Sequence, residues 1–458
     1  MREAIHSQND PDIYVVKIND KYLIYSPLRN LAALGNAQII ESLKHGNRQN
    51  QTSKEVASLL EVLGSDVEPP PPRTGDLNPI FLGLIATHEC NLTCRYCNFH
   101  TQTNTRTMSM QLAVNSINDW ARNIHQNGRK QLELHFFGGE PFVAEQLVQT
   151  AVYRTRALAD ELGLSTHFEA STNGVWSKQM SGFVVDHFDT IVLSLDGRQA
   201  EHDRHRPGPG NTSSFASVRT SAERLRDSAV NLCLRCCVSA ENVDALPEIC
   251  EWFIKEFEPA VIDFEPLFPT PETKISELFP PEAATFARKF IAARKIAGEA
   301  GIECVYSPIS QTPRYTFCPV GQDALIVNPD GTVSSCYMPP ESWRKKKLDL
   351  TIGHVDSHYG LQLDIEAIEK LRTLVANRPR CQHCFCRWNC AGGCLVRETF
   401  PGHSLELSEY CKMTRIIQAC TLLENMGCED YVTALLDDSA ALESLNSGCN
   451  DELGAVPL

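Results

Sequence analysis

Cysteine spacing constrains this chain more than any other feature. Nineteen cysteines occur among its 458 residues, and ten of them fall into two spaced groups. A secreted disulfide scaffold is short and carries a signal segment. Here the opening, MREAIHSQNDPDIYVV, has no hydrophobic stretch after its charges, so no secretory signal is expected. In a reducing compartment clustered cysteines hold metal more often than they pair, and a cytoplasmic location is the matching expectation. The net charge of −15 and the lack of any basic tract argue against binding to nucleic-acid phosphates. No apolar run reaches the ~18 residues that a membrane span needs, and the 42% hydrophobic content is ample for soluble cores.

The length suggests two to four units at about 150 residues each. Residues 12–26 read as two short strands joined at Asn19-Asp20. Residues 30–44 and 53–63 read as helices, the second capped by Thr52 or Ser53. Four consecutive prolines, Pro69 to Pro72, form a stiff linker over 69–79 and end an N-terminal α+β domain spanning 1–68. From 80 to about 268, strand-like runs (81–86, 132–137, 167–171, 190–195, 232–238 and 260–265) alternate with helix-length segments (108–127, 144–162, 215–229 and 245–257). Six βα units imply a parallel sheet with helices outside, an α/β partial barrel lacking the eight strands of closure. This core is taken as 80–303. Residues 304–412 are cysteine-dense, with short strands, and read as metal-held. Residues 413–458 read as helix followed by a tail; from Cys428 onward there are seven Asp or Glu and no Lys or Arg.

Cys90, Cys94 and Cys97 form C-x3-C-x2-C directly after the first strand of the βα series. Ligand sites in such sheets lie at the carboxyl ends of strands. Three thiolates can hold three irons of a [4Fe–4S] cluster and leave the fourth open. The competing reading is structural zinc with His88 or His100 as fourth ligand. This motif on this fold resembles the radical S-adenosylmethionine (SAM) enzymes, whose open iron is chelated by SAM. By that resemblance Tyr96 is the aromatic residue near the adenine. Gly138-Gly139-Glu140-Pro141, after the second strand, resembles the GGEP motif that contacts the SAM amino group. Ser171-Thr172-Asn173-Gly174 resembles the family S/T-x-N-G, with a plain Asn-Gly turn as the alternative. Ser194-Leu195-Asp196-Gly197, followed by His202-Asp203 and Arg206, resembles the S-x-D-G…H-D-x-x-R stretch of peptide-modifying members. It implies Ser194 on the SAM ribose or carboxylate and Arg206 on the carboxylate, to which a guanidinium fork is suited. Cys233, Cys236 and Cys237 on the fifth strand, and Cys250 on the next helix, read as core residues.

The second group runs Cys318-x12-Gly331-x4-Cys336, then Cys381-x2-Cys384-x5-Cys390-x3-Cys394, then Cys411. Interleaved zinc sites are one reading. The pattern resembles, cysteine for cysteine, the SPASM domain, which carries two auxiliary [4Fe–4S] clusters. The resemblance implies Cys381, Cys384, Cys390 and Cys411 on one cluster and Cys318, Cys336 and Cys394 on the other. The fourth position of the latter is left to Cys304, to Cys386, or to an open iron. Cys420, Cys428 and Cys449 fall outside the pattern.

The resemblance implies three [4Fe–4S] clusters and SAM, cleaved to a 5′-deoxyadenosyl radical that abstracts a hydrogen atom. It implies oxidative modification of a peptide or protein, with a flavodoxin or ferredoxin as electron donor. The leading expectation is a maturase that cross-links a side chain of a ribosomal precursor peptide through a C–S or C–C bond. Anaerobic sulfatase maturases, which convert Cys or Ser to formylglycine, resemble the chain too. They usually place an Asp base after the cysteine matching Cys336, where this chain has Tyr337. The N-terminal domain is loosely similar to modules that bind a leader peptide as an added strand. A non-catalytic iron–sulfur or zinc scaffold is the alternative of another class.

Overall fold

The computed structural model describes residues 12–45, 54–99, 105–269, 271–318, 324–356, 360–373, 381–382, 384–397 and 407–447. The readings made above for Thr52, Ser53, His100, Cys449 and the tail beyond 447 lie outside these residues. The chain resolves into two compact units. One comprises 1–72, 308–317 and 374–458; the other comprises 73–307 and 318–373.

In the first unit, β1 (Tyr14–Ile18), β2 (Lys21–Ser26) and β3 (Leu31–Gly35) form an antiparallel sheet in the order β1-β2-β3. The β1–β2 turn falls at Asn19, whose φ of +52 an Asn tolerates. The helix expected over 30–44 is instead a strand followed by a helix. Leu31–Gly35 pairs in register with Tyr22–Ser26, and the helix Ala37–His45 starts only where the Asn36 side chain accepts the Ile39 N–H at 3.0 Å. Ile13, Val15, Ile24, Ile40 and Leu63 form the core beneath, the last from the helix Lys54–Leu63. Further helices of this unit include Glu409–Asn425, Glu429–Asp437 and Ser439–Ser447. The first of them begins inside the segment assigned to the cysteine-rich domain, because Ser408 caps it through the Cys411 N–H at 3.1 Å. A buried polar chain ties these parts together. Tyr25 donates to Asn389 Oδ1 at 2.7 Å, Asn389 Nδ2 donates to the Ser310 carbonyl at 2.9 Å, and Gln418 donates to the Tyr25 hydroxyl at 3.5 Å.

In the second unit the six expected strands are β4 (Phe81–Thr87), β5 (Gln131–Gly138), β6 (Ser165–Thr172), β7 (Thr190–Ser194), β8 (Asn231–Val238) and β9 (Val261–Pro266). Each pairs with the next in parallel. Two short strands extend this series. β10 (Glu303–Val305) joins β9, and β11 (Ala324–Val327) joins β4, both in parallel. β12 (Thr332–Ser334), β13 (Thr351–Asp356) and β14 (Gly360–Leu363) then follow antiparallel, so eleven strands make one open α/β sheet. The boundary expected at residue 304 therefore runs through β10.

Period-two alternation divides the parallel strands. Leu132, Leu134 and Phe136 are buried on one side, while Glu133, His135 and Phe137 take the other. On the helical side, Met110–Gln126 buries Ala113, Ile117, Trp120, Ala121 and Ile124 along one stripe and is capped by Ser109. Cys236 and Cys250 are fully buried, as expected. Cys233 and Cys237 are not core residues: they are half-buried and share the inner face with Arg235, because alternation turns them away from the helices. No helix among the described residues is long and apolar enough to cross a membrane.

Replacing Tyr25 by Phe leaves Asn389 Oδ1 without its buried donor. A cost of about 1–3 kcal/mol is expected, read as a lower denaturant midpoint at unchanged slope.

Candidate active site and cysteine cavity

The segment 87–97 leaves the end of β4 and carries Cys90, Cys94 and Cys97. It has no secondary structure of its own and is held by hydrogen bonds to the ends of three other strands. From the end of β5, Gly139 N–H donates to the Thr87 carbonyl at 2.9 Å and Glu140 N–H to the Glu89 carbonyl at 2.8 Å. A Cβ on Gly138 would collide with the Thr87 carbonyl, and one on Gly139 with the carbonyls of His88 and Glu89. The Gly-Gly pair is thus required by close backbone approach. From the end of β6, Asn173 Nδ2 donates to Asn91 Oδ1 at 2.8 Å and lies 3.6 Å from Cys90 Sγ. Asn91 in turn donates to the Val175 carbonyl at 2.7 Å. From beyond β7, the Pro207 carbonyl accepts the Thr93 N–H at 2.8 Å and the His205 carbonyl accepts the Arg95 N–H at 3.0 Å.

Two buried carboxylates anchor this arrangement, and their surroundings push them in opposite directions. Glu140 is 1% exposed. It accepts from Thr172 Oγ1 at 2.7 Å, from the Asn173 N–H at 2.7 Å and from the Phe142 N–H at 3.2 Å. Burial nevertheless outweighs these bonds and pushes its carboxyl up to about 7. Asp196 is fully buried at the end of β7. Burial would lift it too, but the Arg206 guanidinium and then His205 hold it well below the usual carboxylate range. Arg206 Nε donates to Asp196 Oδ2 at 2.9 Å, Tyr96 donates to the same oxygen at 2.8 Å, and the Cys237 N–H reaches Oδ1 at 2.9 Å. The Arg206 guanidinium also lies 5.3 Å over the Tyr96 ring. Asp196 thus joins the cysteine loop to Arg206, a part not seen in the sequence, where Arg206 was matched to a ligand carboxylate. Ser194, the last residue of β7, is half-buried and pairs in register with Arg235.

Tyr337 lies on the inner face of the same sheet. Its ring sits 4.9 Å from Phe137 and 6.1 Å from Phe81, and a Cβ on Gly83 would come within 2.8 Å of it. Its hydroxyl is buried and has no hydrogen-bond partner among the described residues. Cys304 lies on β10 opposite Ile262, with Cys250 and Arg294 among its neighbours.

In the first unit, Cys381, Cys384, Cys390 and Cys411 line one cavity, together with Cys386 and Arg415. Hydrogen bonding then separates the cysteines by chemistry. A thiolate only accepts, whereas a thiol can donate. Leu92 N–H donates to Cys90 Sγ, Met338 N–H to Cys336 Sγ, Arg397 N–H to Cys394 Sγ and Arg415 Nη1 to Cys384 Sγ, each at 3.4 Å. Three sulfurs outside the two spaced groups point at carbonyls. Cys250 lies 3.3 Å from the Ala293 oxygen, Cys386 4.0 Å from the Thr414 oxygen and Cys428 3.7 Å from the Met426 oxygen. Cys236 does both, 3.8 Å from the Cys237 oxygen and 3.9 Å from Asn242 Nδ2. Cys386 and then Arg415 pull the Cys384 thiol well below its ordinary value, although burial opposes them. Among the described residues no three His, Cys, Asp or Glu side chains are spaced to hold a single metal ion. One ion draws its thiolates to about 2.3 Å from one centre, whereas an iron–sulfur cluster spreads them around a cage. Sulfurs that accept N–H bonds suit such a cluster.

Residues 84–253 match the family model of the radical SAM superfamily. The chain carries a radical SAM domain over these residues. The radical SAM family implies a [4Fe–4S] cluster and SAM. A cysteine-type anaerobic sulfatase-maturating enzyme of Clostridium perfringens is 20% identical over 358 residues, 71% of this chain and 92% of the relative. The PqqA peptide cyclase of Methylobacterium nodulans is 26% identical over 176 residues, 38% of this chain and 43% of the relative. Among solved structures, anSMEcpe with bound AdoMet matches with a TM-score of 0.57 at 18% identity, covering 78% of this chain and 98% of that one. Streptococcus suis SuiB bound to S-adenosylmethionine matches with a TM-score of 0.52 at 12% identity, covering 84% and 95%. These likenesses show the fold.

Glu140→Ala would strand three buried donors and is expected to destabilise the protein by at least about 2 kcal/mol. Glu140→Gln keeps acceptors for Thr172 and Phe142 but turns a donor toward the Asn173 N–H, so a smaller loss is expected. Hydrogen exchange over residues 87–97 measures both, with faster exchange in the order wild type, Gln, Ala.

Proposed function

We propose that this chain is a radical SAM peptide maturase that forms a cross-link in a ribosomally made precursor. Cys90, Cys94 and Cys97 hold the SAM cluster. Glu140 faces the SAM amino group, Gly138, Gly139 and Pro141 shape that wall, Tyr96 borders the adenine, and Ser194 and Arg206 take the ribose and carboxylate. Arg206 suits this role because its Nε is already held by Asp196, which leaves the outer nitrogens to a ligand. Bound there, SAM and its cluster supply one-electron SAM cleavage and hydrogen-atom abstraction.

Two auxiliary four-iron clusters complete the cofactor set. Cys381, Cys384, Cys390 and Cys411 form one, which their common cavity supports. Cys318, Cys336 and Cys394 form the other on the strength of their spacing, with the fourth position left open. Cys304, on the strand β10 beside Cys250, is not in the proposed set, and neither is Cys386, whose sulfur is directed at a carbonyl.

The observation that carries the cross-linking reading is Tyr337. Where sulfatase maturases carry an Asp base, this chain has a buried phenol between Phe81 and Phe137. Similar proteins also favour a peptide: SuiB has been solved with its precursor peptide SuiA, and PqqA peptide cyclase acts on a peptide. The small N-terminal sheet offers β3 as an edge on which a leader peptide can add a strand. The relative length and coverage of the sulfatase-maturating match keep formylglycine formation as the second reading.

The test presents the reconstituted enzyme, SAM and a low-potential reductant with two substrates: a sulfatase peptide bearing Cys or Ser, and the short peptides encoded beside its gene. The expected outcome is loss of two hydrogen masses from a precursor and an unchanged sulfatase peptide. Oxidation of the sulfatase peptide alone would replace this reading with the second. Failure to cleave SAM at full iron loading would leave a scaffold.

A further inference from the structure

The cavity of the first unit contains a feature that the four-cysteine pattern does not require. Arg415 follows Cys411 by four residues on the helix Glu409–Asn425, so the two side chains share one face. It is 4% exposed. Its Nη1 donates to Cys384 Sγ at 3.4 Å, its Nε donates to the Leu445 carbonyl at 2.9 Å, and its guanidinium lies 5.1 Å over the Phe385 ring. The guanidinium is therefore held from two sides with one edge facing the cysteines. Cys386, 2% exposed, lines the same cavity two residues after Cys384.

A four-thiolate iron–sulfur cluster is an anion, and each electron it accepts adds one negative charge. A fixed cation and S–H or N–H donors at a ligand sulfur favour the more negative, reduced state and so raise the potential.

We propose that Arg415 sets the reduction potential of the auxiliary cluster held by Cys381, Cys384, Cys390 and Cys411, raising it so that this cluster accepts an electron from the substrate. The substrate radical forms its new bond, one electron passes to the oxidised cluster, and the displaced proton leaves to water. Cys386 directs its sulfur at the Thr414 carbonyl, 4.0 Å away, and is not itself an iron ligand. The inference rests on the reading above that this cavity holds a four-iron cluster.

The test uses the full chain with Cys90, Cys94 and Cys97 replaced by Ala, so that only auxiliary clusters are seen, in a redox titration followed by electron paramagnetic resonance. Arg415→Gln is expected to lower the reduction equilibrium constant of one transition about tenfold, which for a one-electron couple is 59 mV. Arg415→Lys, whose ammonium cannot span both Cys384 and Leu445, lowers it by less. Cys386→Ala leaves it unmoved and keeps all its iron. An unmoved potential in Arg415→Gln at full iron loading overturns the proposal, and so does loss of a cluster in Cys386→Ala. If Arg415→Gln does not hold iron, Arg415→Lys decides: a lowered potential supports the proposal, and an unchanged one overturns it. Cys384→Ala separates the two levels. If it holds as much iron as its parent, the cavity carries no cluster and both the reading and the inference fall.

Discussion

The structure depends on the way one irregular loop is immobilised. Residues 87–97 make no helix and no ladder beyond β4, yet they carry three cysteines whose sulfurs must converge. The constraint comes from outside the loop. Backbone donors after β5, the Asn173 side chain after β6 and the carbonyls of His205 and Pro207 beyond β7 each hold a different part of it. The motifs that lie near SAM by family resemblance are therefore also the scaffold of the cysteine loop. This explains why Gly138 and Gly139 tolerate no Cβ: the second strand end and the loop are in backbone contact.

Electrostatics reinforces the same geometry. Glu140 and Asp196 are both buried, but only Asp196 has a guanidinium against it. One carboxyl is pushed toward neutrality and the other is kept ionised. Two acids of opposite tendency, one after β5 and one after β7 with β6 between them, serve different partners: the Phe142, Thr172 and Asn173 donors at Glu140 and the Tyr96–Arg206 pair at Asp196. Asp196 receives bonds from the loop, from β8 and from the segment after β7, so removing its charge would loosen three elements at once.

Much of this was legible in the sequence, for identifiable reasons. The six parallel strands appear as apolar runs because a sheet covered by helices needs continuous apolar material on one face. The cysteine groups are legible because ligand spacing is a local property. Leu31–Gly35 was misread because Leu-Ala-Ala-Leu fits a helical stripe as well as a strand, and only pairing with β2 decides. β10 and β11, at three and four residues, are too short for any period to show. Cys233 and Cys237 were misread as core because the sequence does not show which face of β8 meets the helices. Arg415 was within reach: a cationic residue four places after Cys411, on a helix opened by the Ser408 cap, is a local signal.

The central claim is that the ten spaced cysteines hold iron–sulfur clusters and that the remaining thiols do not. The most direct measurement is iron, acid-labile sulfide and zinc per chain after anaerobic reconstitution. About twelve irons, an equal amount of sulfide and negligible zinc are expected for three four-iron clusters. About four irons accompanied by zinc would contradict the auxiliary clusters, and zinc alone would contradict the account as a whole.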